Sequence, residues 1–216
     1  GSEMCIRDRY PTLLVKGSAL ARNPGDFVPY DTETAAKLIA DLKEIVPPYV
    51  RIQRIQRDIP KPQIIAGVMN SNLRQYARRE LKSRGKKCNC INCRELWRAH
   101  IDPSTAELKE IKYKSSGGDE YFLSYESGSK LLGYLRLRLD DNATVRELKV
   151  TGQAANIGKT GTGVQHMGLG SKLMKVAEEK AKGYAKIRVT HGPGTRLYYE
   201  KLGYSLEDYY MVKDLP

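Results

Sequence analysis

The sequence contains no apolar run approaching the roughly 18 residues that span a bilayer, and no segment laid out as a secretory signal. Those two absences lead to the expectation of a soluble, cytoplasmic protein with no membrane partner. Internal repeats are missing as well, which excludes repeat architectures. Negative charge is scarce: 25 Asp and Glu face 37 Lys and Arg, for a formal net charge of +12. The imbalance is uneven. Residues 1–100 hold 19 basic against 10 acidic side chains, whereas residues 101–216 hold 18 against 15. A basic surface attracts polyanions such as RNA, DNA or anionic membrane, or it serves solubility alone. Cysteine is rare outside one place: three of the four cysteines, Cys88, Cys90 and Cys93, fall within "CNCINC". Such crowding in a chain read as cytosolic favours metal over disulfides. The opening "GSEMCIRDR" is set aside, because Gly1-Ser2 looks like a cloning scar and "MCIRDR" resembles a translated sequencing adapter. Cys5 is therefore expected to have no role, and the natural gene is expected to extend further at its 5′ end.

The whole chain has 216 residues, 40% hydrophobic and 29% charged, enough for one good core or two small ones. "PTLLVKG" (residues 11–17) reads as a short buried strand. In "DTETAAKLIADLKEIVPP", Asp31 or Thr32 caps a helix that turns Ala35, Leu38, Ile39, Leu42 and Ile45 to one side and stops at Pro47-Pro48. "YVRIQRI" (residues 49–55) alternates like a strand, completing a βαβ unit. "NSNLRQYARRELKSRG" is a second helix, capped by Asn70 or Asn72 and stopped by Gly85. It begins the densest positive stretch of the chain, with Arg74, Arg78, Arg79, Lys82, Arg84, Lys86, Lys87, Arg94 and Arg98 opposed only by Glu80 and Glu95. After Pro103, "SSGGDE" marks a loop, and "EYFLSYES", "KLLGYLRLRL" and "TVRELKVTG" form an antiparallel meander. "QAANIGKTGTGV" is a loop. A helix follows with Leu173, Ala177 and Ala181 facing the core, then a strand "AKIRVTHG", a short helix "GTRLYYEKLGY" and a last strand "YMVKDL".

Chemistry concentrates where "QHMGLGSKLM" introduces that helix. Unpaired N–H groups at a helix N-terminus, together with the macrodipole, favour phosphate, and a glycine removes the Cβ that would hold a diphosphate away. Gln165, Gly168, Leu169, Gly170 and Ser171 are the candidates, though a tight turn alone would use the same glycines.

In their order, the meander, this motif and helix, and the strand followed by "LYYEKLGY" resemble the GNAT acetyltransferase superfamily. That resemblance implies that the loop grips the diphosphate of acetyl-CoA. It also implies that Glu147, Leu148, Lys149 and Val150 lie along the acetyl and pantetheine portion. Free N–H groups there can polarise the thioester carbonyl. A phenol with a pKa of about 10 can protonate the departing thiolate. Tyr199 is the first choice as cofactor contact and proton donor, and Tyr198 the second. Glu147 could act as a base through water, but a strand glutamate is more often solvated.

A narrower likeness also exists. "YPTLLVKG", "VPPYVRIQRIQRDIP", "GVMNSNLRQYA", "CNCINCRE", "VRELKVTG", "QHMGLGSKLM" and "GPGTRLYYEKLGY" occur in one order from Tyr10 to Leu215. The series resembles the catalytic subunit of Elongator, the tRNA wobble-uridine enzyme, in its archaeal or bacterial form. The family joins a radical SAM domain to a GNAT domain. The resemblance implies an α+β chain: residues 10–69 as the end of the radical SAM α/β domain, 70–103 as a basic, zinc-bearing linker, and 104–216 as the GNAT domain. Cys88, Cys90 and Cys93 would hold a structural zinc, with His100 or a residue elsewhere as fourth ligand. Arg74, Arg78, Arg79, Lys82, Arg84, Lys86 and Lys87 would contact tRNA at its anticodon-loop region, and Arg51, Arg54 and Arg57 would add positive surface. No cysteine triplet precedes the βαβ unit, so neither an iron–sulfur cluster nor S-adenosylmethionine is expected in this chain. A missing radical SAM half or other Elongator-type subunits would be further partners. The function implied is an acyltransferase that binds and cleaves acetyl-CoA in a tRNA-stimulated way. The alternatives are a protein lysine N-acetyltransferase and a non-catalytic tRNA-binding module.

Overall fold

A computed structural model describes residues 10–96, 101, 103–151 and 168–216. The chain divides between Cys93 and Arg94 into two compact units.

The first unit holds β1 (Leu14–Val15), α1 (Ala19–Arg22), α2 (Thr32–Ile45), β2 (Ile64–Ala66) and α3 (Leu73–Ser83). Asp31 caps α2 by accepting the Thr34 N–H at 2.7 Å, and Glu33 pairs with Lys37 one turn on. The buried residues of α2 are Ala35, Ala36, Ile39, Ala40 and Lys43. The apolar face is therefore rotated from the expected one: Leu38 and Ile45 are exposed, and Lys43 is fully buried. Residues 49–55 do not form the expected strand. Val50, Ile52 and Ile55 are buried, but the strand that pairs with β1 is β2, and it runs antiparallel. The expected βαβ unit is thus absent.

Helix α3 buries Leu73, Ala77 and Leu81, spaced one turn apart, and Leu73 and Ala77 join the core formed with Ile39, Ile52 and Val68. It ends where Gly85 takes φ +66° and Lys86 N–H reaches back to the Leu81 carbonyl at 2.8 Å. The cysteine turn follows and packs into the same core, with Cys90 fully buried and Ile91 N–H donating to the Val50 carbonyl at 2.9 Å. A short helix, α4 (Ile91–Arg94), leads out of it.

The second unit is a seven-stranded sheet in the order β3-β4-β5-β6-β7-β9-β8. Its strands are β3 (Glu107–Ser115), β4 (Gly118–Ser127), β5 (Lys130–Leu139), β6 (Ala143–Val150), β7 (Lys186–Thr190), β8 (Ser205–Glu207) and β9 (Tyr210–Asp214). The segment expected as a loop at "SSGGDE" is a hairpin turn, with Ser116 at φ 47° and Gly117 at φ 82° between β3 and β4. Strand β3 lies at the sheet edge, where its lysines and glutamates face water. Helix α5 (Leu169–Lys180) lays Leu173 and Ala177, and just beyond it Ala181, on Leu123, Leu135, Leu137, Val145, Ile187 and Val189. A short helix, α6 (Arg196–Glu200), precedes β8. Among the described residues no helix is long and apolar enough to cross a membrane.

Candidate active site

The sheet opens in one place. Strand β6 pairs with β5 along its length, from Ala143 opposite Leu139 to Val150 opposite Gly133. Its parallel pairing with β7 covers only Ala143, Thr144 and Val145. A register shift between Arg136 and Leu137 leaves Arg146 as an extra residue on β6, and a bulge of this kind bends a strand away from its neighbour. From Arg146 to Val150, no strand among the described residues takes up the edge turned from β5. Helix α5 begins beside this free edge. Gly168 caps it in the left-handed conformation at φ 66°, which favours glycine, and no side-chain cap bonds its first N–H groups among the described residues. A Cβ added to Gly170 would lie 3.7 Å from Val150 Cγ2, so the end of β6 and the start of α5 are in contact. Glu147, Leu148, Lys149 and Val150 on one side, and Gly168, Leu169, Gly170 and Ser171 on the other, form one locus. Gln165 lies outside the described residues.

The same added Cβ would sit 2.6 Å from the Tyr198 hydroxyl. Tyr198, on α6, is thus pressed against the first turn of α5 and hydrogen-bonds Ser171. Burial raises its pKa, partly opposed by that hydrogen bond. Tyr199 points elsewhere. It is buried edge-on between Tyr198 and Tyr204, with ring centroids 5.1 and 6.0 Å away. Burial, followed by the neighbouring Tyr198, pushes its pKa up to about 12. Both phenols therefore stay protonated at neutral pH. Of the two, it is the Tyr198 hydroxyl that lies at the helix start, although the sequence reading ranks Tyr199 first.

Glu147 is occupied. It accepts hydrogen bonds from Tyr134 and, at 2.9 Å, from Arg136 Nε. Arg136 is almost wholly buried, stacks over Phe122 and Tyr134, and also donates to the Tyr113 hydroxyl at 3.2 Å. A carboxylate held on both oxygens braces β6 just past its bulge and is poorly placed to take a proton from water. Lys149 pairs with Glu95 at 2.9 Å.

In the first unit the sulfurs of Cys88, Cys90 and Cys93 lie within 4.8 Å of one another. Three thiolates around a tetrahedral zinc stand roughly 3.8 Å apart, so the cluster fits such an ion after a small contraction. Hydrogen bonds from Cys88 and Cys90, and then the charges of Lys43 and Arg78, hold the Cys93 thiol far below the usual range. His100 lies outside the described residues.

The basic residues separate into two groups. Arg74 donates to the Gln53 carbonyl at 2.7 Å and is tied to its own chain. Arg84 pairs with Asp41 and Glu80, and Lys86 with Glu44. Arg78, Arg79, Lys82 and Lys87 are exposed and have no carboxylate partner among the described residues. The residues that sequence reading missed are Lys43 and Arg136. Only Lys43 left a trace, as a lysine four residues beyond a buried Ile39 on a helix.

Comparison with known proteins places the chain. Residues 91–204 match the acetyltransferase (GNAT) family model, and residues 9–83 match the radical SAM C-terminal domain. The chain belongs to the acetyltransferase (GNAT) family. It is similar over 95% of its length to the tRNA uridine(34) acetyltransferases of Dehalococcoides mccartyi (41% identical, 50% of that protein) and Methanocaldococcus infernus (40% identical, 43%). Elongator complex protein 3 of Schizosaccharomyces pombe is 40% identical over 94% of the chain and 42% of that protein. The solved structure of the archaeal Methanocaldococcus infernus Elp3 with an N-terminal deletion superposes with a TM-score of 0.88 at 39% identity, covering 96% of this chain and 55% of that one. The chain therefore spans about half the length of the curated relatives it matches. The sheet edge at β6 and the glycine-led α5 both lie within the GNAT match.

Proposed function

We propose that this chain carries the acetyl-CoA and tRNA sites of a wobble-uridine-modifying acyltransferase that acts in the cytoplasm, and that it cleaves the acetyl-CoA thioester when tRNA binds. The observation that carries the reading is the meeting of three features: the free edge of β6, the capless first turn of α5, and the Tyr198 hydroxyl against Gly170. The N–H groups of Leu169, Gly170 and Ser171, which have no side-chain cap among the described residues, would bind the diphosphate. The edge of Glu147 to Val150 would line the pantetheine arm. As the carbon–sulfur bond breaks, the sulfur leaves with the electron pair and takes the Tyr198 proton, while water bonds the acyl carbon and gives up a proton that restores the Tyr198 hydroxyl. The tRNA would lie on Arg78, Arg79, Lys82 and Lys87, whose charges have no competing carboxylate among the described residues. Cys88, Cys90 and Cys93 would hold a zinc whose part is structural, fixing the turn behind α3. The resemblance to enzymes named for tRNA uridine(34) supports the choice of tRNA as substrate.

The test is thioester cleavage measured with tRNA, with a lysine peptide, and with neither. A rise with tRNA alone is expected. A rise with the peptide would make the chain a lysine acetyltransferase, and background rates throughout would leave it a binding module.

A further inference from the structure

Among the described residues, Lys43 is the one fully buried lysine. It occupies the last turn of α2, four residues after Ile39 and three after Ala40, and so stands in the apolar row of the helix. No carboxylate among the described residues pairs with it. Its Nζ instead donates to Cys93 Sγ at 3.6 Å. An ammonium withdrawn from water without a counter-charge costs several kcal/mol. Among the described residues, the group placed to supply the counter-charge is the sulfur cluster.

We propose that Lys43 is the charge partner of the Cys88–Cys90–Cys93 cluster and tunes it to hold a divalent, thiophilic cation through three thiolates and one neutral ligand. The charges decide this. Three thiolates and a divalent ion sum to −1, and Lys43 brings the buried centre to zero. A fourth thiolate or a carboxylate would leave an uncompensated negative charge, so the remaining position belongs to water or an imidazole. Arg78 on α3 also acts on Cys93, but it is exposed and water screens its charge, so the buried balance rests on Lys43. Lys43 is thus a positioning residue for the metal centre, binding through charge and hydrogen bond rather than as a ligand. The inference rests on the zinc part of the proposed function.

The test uses the whole chain loaded with one equivalent of zinc and titrated with a chromophoric chelator. Lys43→Met, which keeps the length of the side chain and removes its charge, should lose zinc at a chelator concentration at least about tenfold lower than wild type, the usual penalty for removing an outer-shell partner. Equal retention in wild type and Lys43→Met overturns the proposal alone. A wild-type chain that takes up no zinc overturns the metal reading with it. A second measurement decides the matter if Lys43→Met fails to fold. In a chain carrying Cys88→Ser, Cys90→Ser and Cys93→Ser, Lys43 becomes an unpaired buried cation. Adding Lys43→Met to that background should raise Tm by about 3 °C or more. A fall, or no change, refutes the pairing.

Discussion

Replacing Gly170 with alanine tests the geometry of the site without touching a functional group. The new Cβ would stand 2.6 Å from the Tyr198 hydroxyl but 3.5 Å from its Cζ. The hydroxyl must therefore move by close to 1 Å, whereas the ring is already at ordinary contact distance. Overpacking of this kind costs about 1–3 kcal/mol. Alanine in a helix returns about 1 kcal/mol relative to glycine. Gly170→Ala alone should thus lower stability by about 0–2 kcal/mol. In a Tyr198→Phe background no hydroxyl remains to clash, and the same substitution should stabilise by about 1 kcal/mol. The expected coupling energy is about 1–3 kcal/mol, readable from urea denaturation of the four species. Turnover of acetyl-CoA should fall about 100-fold in Gly170→Ala, because a proton donor misplaced by 1 Å is a poor one. A coupling energy within about 0.3 kcal/mol of zero would mean that the two residues do not touch, and the site as described would be wrong.

Further outcomes follow from the same structure. Tyr199, raised to about 12 by burial, holds its proton in the folded chain after the unfolded chain has lost it. Its contribution is complete below pH 10 and declines as pH rises from 10 towards 12, by about 1 kcal/mol per pH unit, and this dependence should vanish in Tyr199→Phe. Arg136→Met should destabilise the GNAT unit by about 1–3 kcal/mol through loss of its bonds to Glu147 and Tyr113, less than a fully buried pair because Glu147 is 37% exposed. Lys182→Met, which breaks an exposed pair with Glu179, should change stability by less than about 0.5 kcal/mol. Among the basic residues, Arg78→Ala, Arg79→Ala and Lys82→Ala should each weaken tRNA binding and reduce the slope of log affinity against log salt by about 1. Arg84→Ala, whose guanidinium is already paired, should leave that slope nearly unchanged.

Much of the second unit was legible because its signals are local and redundant. Alternation in "EYFLSYES" and "KLLGYLRLRL", a helical spacing of Leu173, Ala177 and Ala181, and glycines ahead of the helix all agree with one fold. Strand β3 escaped notice since an edge strand rich in lysine carries little apolar alternation. The first unit was harder to read. "YVRIQRI" has the period of a strand, yet Val50, Ile52 and Ile55 bury themselves from irregular backbone, and the partner of β1 lies some fifty residues along the chain. The face of α2 departs from the usual rule that lysine is outside, because the hydrogen-bond partner of Lys43 is a sulfur fifty residues along the chain. The tyrosine pair shows a similar limit. Adjacent residues on a short helix point in directions about 100° apart, and only the position of α6 relative to α5 decides which hydroxyl reaches Gly170.

A crystal structure of the chain with a non-hydrolysable acetyl-CoA thioester analogue measures the account most directly. The diphosphate should accept hydrogen bonds from the backbone N–H groups at Leu169 to Ser171, with the sulfur in reach of the Tyr198 hydroxyl. A diphosphate bound anywhere else, with the first turn of α5 left to solvent, would contradict it.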